Sequence, residues 1–295
     1  MDQLRPHAGL FGLSVLVSDV EDKLVEDGWA EIRLEAPMPG NFLSTDIPQV
    51  EGTRLVELRL PIQHGKAEWQ YSWPIRGDYR LAVMATSADG KKASKAFAIT
   101  VRESSAKWWT LGMFGFGLFL LGFIAGRILT VTKASVASLT FMLILTVRVL
   151  SPYVAYGSQA GEQAAQATLT VEAAVVGKPS RITWRLQDNA GMARKRVTLS
   201  LAITQLEENQ AVFALERIPV TDEFTLKLQF VDGSQHQVTA VAELPGQAPI
   251  RNEQHVAVTA VEPPTSAALA PIVLFLGVIA FGLGVGRWSK LYATN

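Results

Sequence analysis

Gly115-Phe-Gly-Leu-Phe-Leu-Leu-Gly-Phe-Ile-Ala-Gly-Arg127 returns in close echo as Leu276-Gly-Val-Ile-Ala-Phe-Gly-Leu-Gly-Val-Gly-Arg287. Gly117, Gly122, Gly126 and Arg127 fall on Gly277, Gly282, Gly286 and Arg287 at one offset of 160 residues (287 − 127). No charged residue occurs from Trp108 to Gly126 or from Pro263 to Gly286. A helix of about 20 such residues crosses the roughly 30 Å hydrocarbon core of a bilayer. The echo therefore predicts transmembrane helices at 107–130 and 265–288.

A third apolar block, Ala134 to Gly157, is broken only by Arg148, close enough to its end to snorkel to the interface. It predicts another span at 135–157, after a short loop at 131–134. Lys133 ahead of an apolar core that ends in Ala155-Tyr-Gly-Ser-Gln-Ala160 also fits a signal peptide, which inside a continuous chain would act as an uncleaved anchor. Across the 295 residues, 48% are hydrophobic and 18% charged, and mean hydropathy is +0.20. These spans carry the apolar excess.

Outside the spans, two polar regions, 1–106 and 158–264, read as short strands with alternating apolar residues. In the first these are Leu13-Ser-Val-Leu-Val, Ala30-Glu-Ile-Arg-Leu, Leu55-Val-Glu-Leu-Arg-Leu, Glu68-Trp-Gln-Tyr-Ser-Trp, Tyr79-Arg-Leu-Ala-Val and Phe97-Ala-Ile-Thr-Val. In the second they begin at Leu169, Ile182, Val197, Val212, Phe224, Val238 and Val256. Strands this short and this regularly punctuated predict a β-sandwich in each region. The expected fold is a membrane-anchored all-β chain: two tandem Ig-like β-sandwiches and three transmembrane helices. The repeat extends into the sandwiches if Leu81 is laid on Leu226, an offset of 145, and Asp89-Gly90 on Asp232-Gly233, an offset of 143. On that alignment the Glu208-Asn209-Gln210 turn is the counterpart of His64-Gly65.

Parity and charge set the topology. Two spans separate the sandwiches, so both lie on one side. Arg127 and Lys133 in the loop, with Arg287 and Lys290 in the tail at 289–295, put the other side in the cytoplasm. Trp108, Trp109, Tyr153 and Tyr156 would form the outer aromatic belt. The expected location is a bacterial inner membrane, with both sandwiches in the periplasm or outside the cell. Met1-Asp-Gln-Leu-Arg-Pro-His carries no signal peptide, so export of the first region points to a start upstream or to export by the first span.

Formal net charge is zero, which gives no electrostatic pull toward nucleic acid. Cysteine is absent, removing disulfides, thiolate metal clusters and thiol nucleophiles. The four histidines, His7, His64, His236 and His255, with Met38, Met84 and Met192, are the candidates for a copper site, but no His-X-His or His-X3-His pair occurs. Arg76-Gly77-Asp78 spells an adhesion tripeptide but sits where a turn enters a strand and reads as a chance match, and Asp19, Glu21 and Asp22 could suggest calcium but flank a strand end and read as a solvated loop. No nucleophile elbow, phosphate loop or zincin pattern is present, so the reading is no enzyme, no cofactor and no small-molecule substrate. The recurring GxxxG pairs Gly122/Gly126 and Gly282/Gly286, flanked by Gly117 and Gly277, are the candidate helix-packing residues. Arg127, Lys133, Arg287 and Lys290 are the inner-interface anchors.

The stretch Gly77-Asp-Tyr-Arg-Leu-Ala-Val, followed by Asp89-Gly90 and Phe97-Ala-Ile-Thr-Val, resembles bacterial extracytoplasmic Ig-like modules of the YtkA-like and FixH-like kind. The order sandwich, two spans, sandwich is similar to the B subunit of the particulate methane monooxygenase family, with one added span. These resemblances imply copper handling or oxidase assembly, although the His-X-His ligands of that subunit have no match here. The leading expectation is a non-catalytic accessory or structural subunit of a multi-subunit membrane complex, with other integral membrane subunits and the lipid bilayer as partners. The alternatives are a copper-handling assembly protein and an envelope adhesion protein.

Overall fold

A computed structural model describes residues 9–19, 21–40, 44–128, 167–186, 197–263 and 265–293. It has two compact units, one made of both polar regions and one of the helices. Every strand-like stretch read from the sequence lies within or overlaps an observed strand. The first region holds β1 (Phe11–Leu16), β2 (Asp27–Glu35), β3 (Arg54–Gln63), β4 (Lys66–Tyr71), β5 (Gly77–Ser87) and β6 (Lys92–Val101). The second holds β7 (Ala167–Val171), β8 (Pro179–Leu186), β9 (Val197–Gln205), β10 (Gln210–Val220), β11 (Glu223–Gln229), β12 (Gln235–Glu243) and β13 (Ile250–Ala257). Helices α1 (Ser105–Ile128) and α2 (Thr265–Ala293) follow β6 and β13. Two helices are therefore described where three were expected; the expected span at 135–157 lies outside the described residues.

The two polar regions do not stand apart. One sheet runs β6-β5-β2-β3-β11-β8-β7 and the other β1-β4-β10-β9-β12-β13, joined at the β3–β4 hairpin by the pair Gln63–Lys66. Each sheet thus contains strands of both regions. Their joints are β3–β11, where Val56 faces Leu228, and β4–β10, where Tyr71 faces Phe213. Gln229 Nε2 donates to Thr53 Oγ1 at 2.9 Å, Gln70 Nε2 to Glu216 Oε1 at 2.9 Å and Ser72 N to Val212 O at 2.9 Å across the same seam. The alternation seen in the sequence puts one face of each strand into a single hydrophobic core that contains Ile32, Trp73, Trp184 and Leu226, all completely buried. The opposite face of the first sheet is charged: Glu57 pairs with Arg54 at 3.0 Å and Lys227 at 3.5 Å, and Arg185 with Glu223 at 2.6 Å. Burial pushes the Glu57 carboxyl up, but Arg54, Lys227 and Arg33 outweigh it and hold the group below its ordinary value.

Strand pairing corrects the repeat register. Leu81 stands between Leu34 and Phe97, and Val238 stands between Ile203 and Gln254. The counterpart of Leu81 is therefore Val238, at an offset of 157 (238 − 81), and not Leu226. The same offset carries Val56 to Phe213, Trp69 to Leu226, Tyr71 to Leu228 and Trp73 to Phe230, and so exchanges the two joints. For β1 and β2 the offset is 169, carrying Leu13 to Ile182 and Ile32 to Leu201. The Asp-Gly turns misled the alignment by one strand: Asp89-Gly90 joins β5 to β6, whereas Asp232-Gly233 joins β11 to β12. His64-Gly65 is matched by Thr221-Asp222, between β10 and β11, not by Glu208-Asn209-Gln210. The described β unit is a tandem repeat closed on itself with pseudo-two-fold symmetry.

An aromatic pair repeats with it. Trp73 and Tyr79 lie edge to face at 4.8 Å and 66°, and so do Phe230 and His236. Tyr79 Oη donates to Ile75 O at 2.6 Å, and burial pushes its pKa up. His236, 1% exposed, is lowered by burial, against the opposing pull of Asp232, the Ser234 carbonyl and Glu207. An unfolded histidine takes a proton near pH 6.5. Folded His236 takes it later, so its contribution is present above about pH 6.5 and is lost as the pH falls below that value. Thermal unfolding should show a stability drop between pH about 7.5 and 5 that is smaller in His236→Gln; an equal drop in both proteins would rule this contribution out.

Candidate functional site: a glycine-faced helix pair

Helices α1 and α2 have apolar sequences all round, and both are long and apolar enough to cross a membrane. Most of their large side chains face outward, including Trp109, Phe116, Leu121, Ile124, Val273, Phe281 and Trp288. In α1 the buried residues are Gly122 and Gly126, and Gly282 and Gly286 are buried in α2. A soluble core helix buries its large residues. This pair buries its smallest ones, as helices do when they associate by backbone contact in lipid.

A Cβ placed on Gly122 would run into the Ile279 carbonyl oxygen and lie 3.2 Å from Leu283 N. On Gly126 it would meet the Leu283 carbonyl oxygen and lie 3.1 Å from Arg287 N. Stepping four residues along α1 moves the contact four residues along α2 in the same direction, so the helices are parallel. The reverse contacts match: Gly282 meets the Phe119 carbonyl oxygen and lies 3.1 Å from Phe123 N, while Gly286 meets the Phe123 carbonyl oxygen. Since 119 and 123 become 279 and 283 under the 160 offset, the interface is its own image. Because the obstructing atoms are backbone, no side chain can turn aside to admit a larger residue.

The other expected packing residues lie elsewhere. Gly117 and Gly277 have nothing within 4 Å of a notional Cβ, and neither do Gly112, Gly115 and Gly284. Phe275 occupies the image position of Gly115 and meets Phe114 edge to face at 5.3 Å. Close backbone contact therefore belongs to the half of the pair nearer the C-termini. Arg127 lies there, its guanidinium 5.9 Å from the Phe123 ring centre, and Ser289 Oγ donates to Gly286 O at 2.8 Å. Arg287 and Lys290 are on the last turns of α2; Lys133 lies outside the described residues. The backbone partners Phe119, Phe123, Ile279 and Leu283 were not singled out from the sequence. Their signal is positional, three residues before and one after each leading glycine.

His7 and Met192 lie outside the described residues, and the three described histidines do not converge. His64 is exposed in a tight turn with φ of 51°, and His236 is buried. His255 is exposed and paired with Gln237, one position out of step with the His236–Val256 pair and so on the opposite sheet face. Among the described residues no group of three or more histidine or carboxylate side chains is placed to hold a metal.

No family model matches the chain, and no curated protein matches it. Among solved structures it is similar to a conjugative transposon lipoprotein from Bacteroides eggerthii, at 13% identity and a TM-score of 0.24, over 32% of this chain and 98% of that one. It is also similar to a tetra-tandem repeat from the extending region of a large adhesion protein, at 10% identity and a TM-score of 0.26, over 84% of this chain and 50% of that one. Dimeric latent PorU from Porphyromonas gingivalis aligns at 9% identity and a TM-score of 0.27, over 89% of this chain and 23% of that one. Superpositions this loose carry no functional argument.

Proposed function

We propose that the chain is a non-catalytic accessory or structural subunit of a bacterial membrane protein complex. In this reading α1 and α2 form a paired anchor, and the fused sandwiches a rigid docking body. The observation that supports it most is the division of the glycines. Gly122, Gly126, Gly282 and Gly286 are consumed within the pair, while Gly117, Gly277 and Gly284 leave close-approach positions open beside exposed aromatic side chains. Such positions suit a further helix, because small residues let backbones approach in lipid. Purification in mild detergent followed by mass spectrometry should recover the chain in fixed stoichiometry with other integral membrane proteins. Recovery as a lone monomer would overturn the subunit reading.

Parallel packing supports the proposed topology. Both helices follow strands of the same β unit and run the same way, so if both cross, the chain must return between Ile128 and Ala167. An odd number of crossings in that interval keeps both sandwich regions on one side, outside by the positive-inside rule applied to Arg127 and Arg287. Protease added to intact spheroplasts should cleave within both regions. Cleavage confined to one of them would sink the arrangement.

A further inference from the structure

The corner before the last hairpin of each half differs chemically between the two. In the first half Tyr79 Oη donates to Ile75 O at 2.6 Å and accepts from Ile75 N at 3.1 Å, and beside it Gly77 pairs with Val101, the last residue of β6. At the offset of 157 the images of Tyr79, Ile75, Gly77 and Val101 are His236, Asp232, Ser234 and Val258. The pairing survives, since Val258 N donates to Ser234 O at 3.2 Å. The phenol that closed the corner has become an imidazole.

Within its sheet His236 stands between Gln205 of β9 and Val256 of β13, with the Phe230 ring against its own. Its Nδ1 is 3.4 Å from Ser234 O and its Nε2 3.6 Å from Asp232 Oδ1. A neutral ring carries one N–H and serves only one of these acceptors, whereas a charged ring donates to both. The Asp232 carboxylate is already committed, because Ser234 Oγ donates to Oδ1 at 2.5 Å and Gln205 Nε2 to Oδ2 at 2.6 Å. Asp232 and Glu207 are the charged groups that act on the ring, and their pull is weaker than the cost of charging a side chain that is 1% exposed.

This cluster holds a turn that bears on the way to α2. A Cβ on Gly233 would stand 2.5 Å from the Cβ of Ala260, so the turn lies directly against that residue. Val258 N is held by Ser234 O, and Thr259 N donates to Ala174 O at 2.9 Å. Residues 258–260 are thus tied to the β unit just before Thr265, where α2 begins.

We propose that the His236 corner is an acid-released latch on the connector between β13 and α2. Acid favours the form that takes the proton more readily, which is the one whose Asp232-Gly233-Ser234 turn has opened and whose ring meets water. The latch is closed above about pH 6.5, the value of a free histidine, and weakens as the pH falls below it. Opening parts Ser234 O from Val258 and Gly233 from Ala260, so the loose tether to α2 lengthens from residues 261–264 to 258–264. The corner beside the connector to α1 has no such response, because burial pushes the Tyr79 phenol further above its ordinary value and it stays protonated.

Hydrogen exchange of the purified full-length chain tests this, with each rate divided by the intrinsic rate at the same pH. Between pH about 7.5 and 5.5 the opening constant of residues 257–261 should rise by roughly threefold or more, under a ceiling of about tenfold per pH unit for one proton. It should exceed the opening constant of β9 and β10 at every pH. His236→Tyr, which restores the residue of the first half, and His236→Gln should both flatten the profile. A flat profile in the wild-type chain would overturn the proposal. So would equal opening constants in the two segments, which make the loss global, or an unchanged rise in either variant that keeps β9 and β10 protected.

Discussion

Replacing Gly122 and Gly126 together with leucine should push α1 and α2 apart while both remain apolar enough to insert. The blocking atoms are the carbonyl oxygens of Ile279 and Leu283, so the new side chains are accommodated only by separating the helix axes. Axes separated by ordinary side chains lie about 8–10 Å apart. Spin labels at Arg127 and Arg287 should therefore report an increase on the order of 2–3 Å or complete dissociation, with about 1–2 kcal/mol of association lost. Changing Gly282 and Gly286 should do the same, and combining all four changes should add little, because both pairs guard one reciprocal contact. Additive losses, or unchanged distances, would mean that the helices are held together by something other than the glycine face.

The second large effect concerns the seam between the halves. Leu226 is completely buried and faces Leu58 on one side and Ile182 on the other, so it belongs to both halves at once. Leu226→Ala should cost about 2–5 kcal/mol and destabilise the first region as much as the second. Fluorescence of variants keeping only Trp73 or only Trp184 among the buried tryptophans should show one shared transition, shifted equally. Two separate midpoints, with only the Trp184 signal moved, would show that the halves unfold independently.

Thirteen strands and the two described helices were legible because their information is local. Period-two alternation at Leu13-Ser-Val-Leu-Val or Val197-Thr-Leu-Ser-Leu reports a half-buried strand wherever its neighbours come from, and an uncharged run of about 20 residues reports a span. What alternation does not carry is the identity of the neighbour. Val56 reads the same whether it faces a strand of its own half or Leu228, 172 residues away (228 − 56), so the fusion of the two sandwiches was hidden. The register of the repeat failed for a related reason. Asp-Gly is favoured in many hairpin turns, and matching Asp89-Gly90 to Asp232-Gly233 matched turn chemistry rather than position. The core residues that do correspond, such as Tyr79 with His236 or Trp69 with Leu226, share burial but little identity. In the helices the opposite holds, because backbone contact tolerates only glycine at Gly122, Gly126, Gly282 and Gly286. The repeat therefore stayed readable there.

Parallel packing also sums two electric fields. Each helix carries roughly half a negative charge at its C-terminal end, and α1 and α2 bring those ends to the same side, where like poles repel. Neither helix places an acidic residue in its first turn, but each carries a basic one in its last, Arg127 in α1 and Lys290 in α2, with Arg287 one turn earlier. These cations thus screen the neighbouring helix's pole as well as their own. Removing Arg127 alone would be felt by α2 as an unbalanced negative end beside its own.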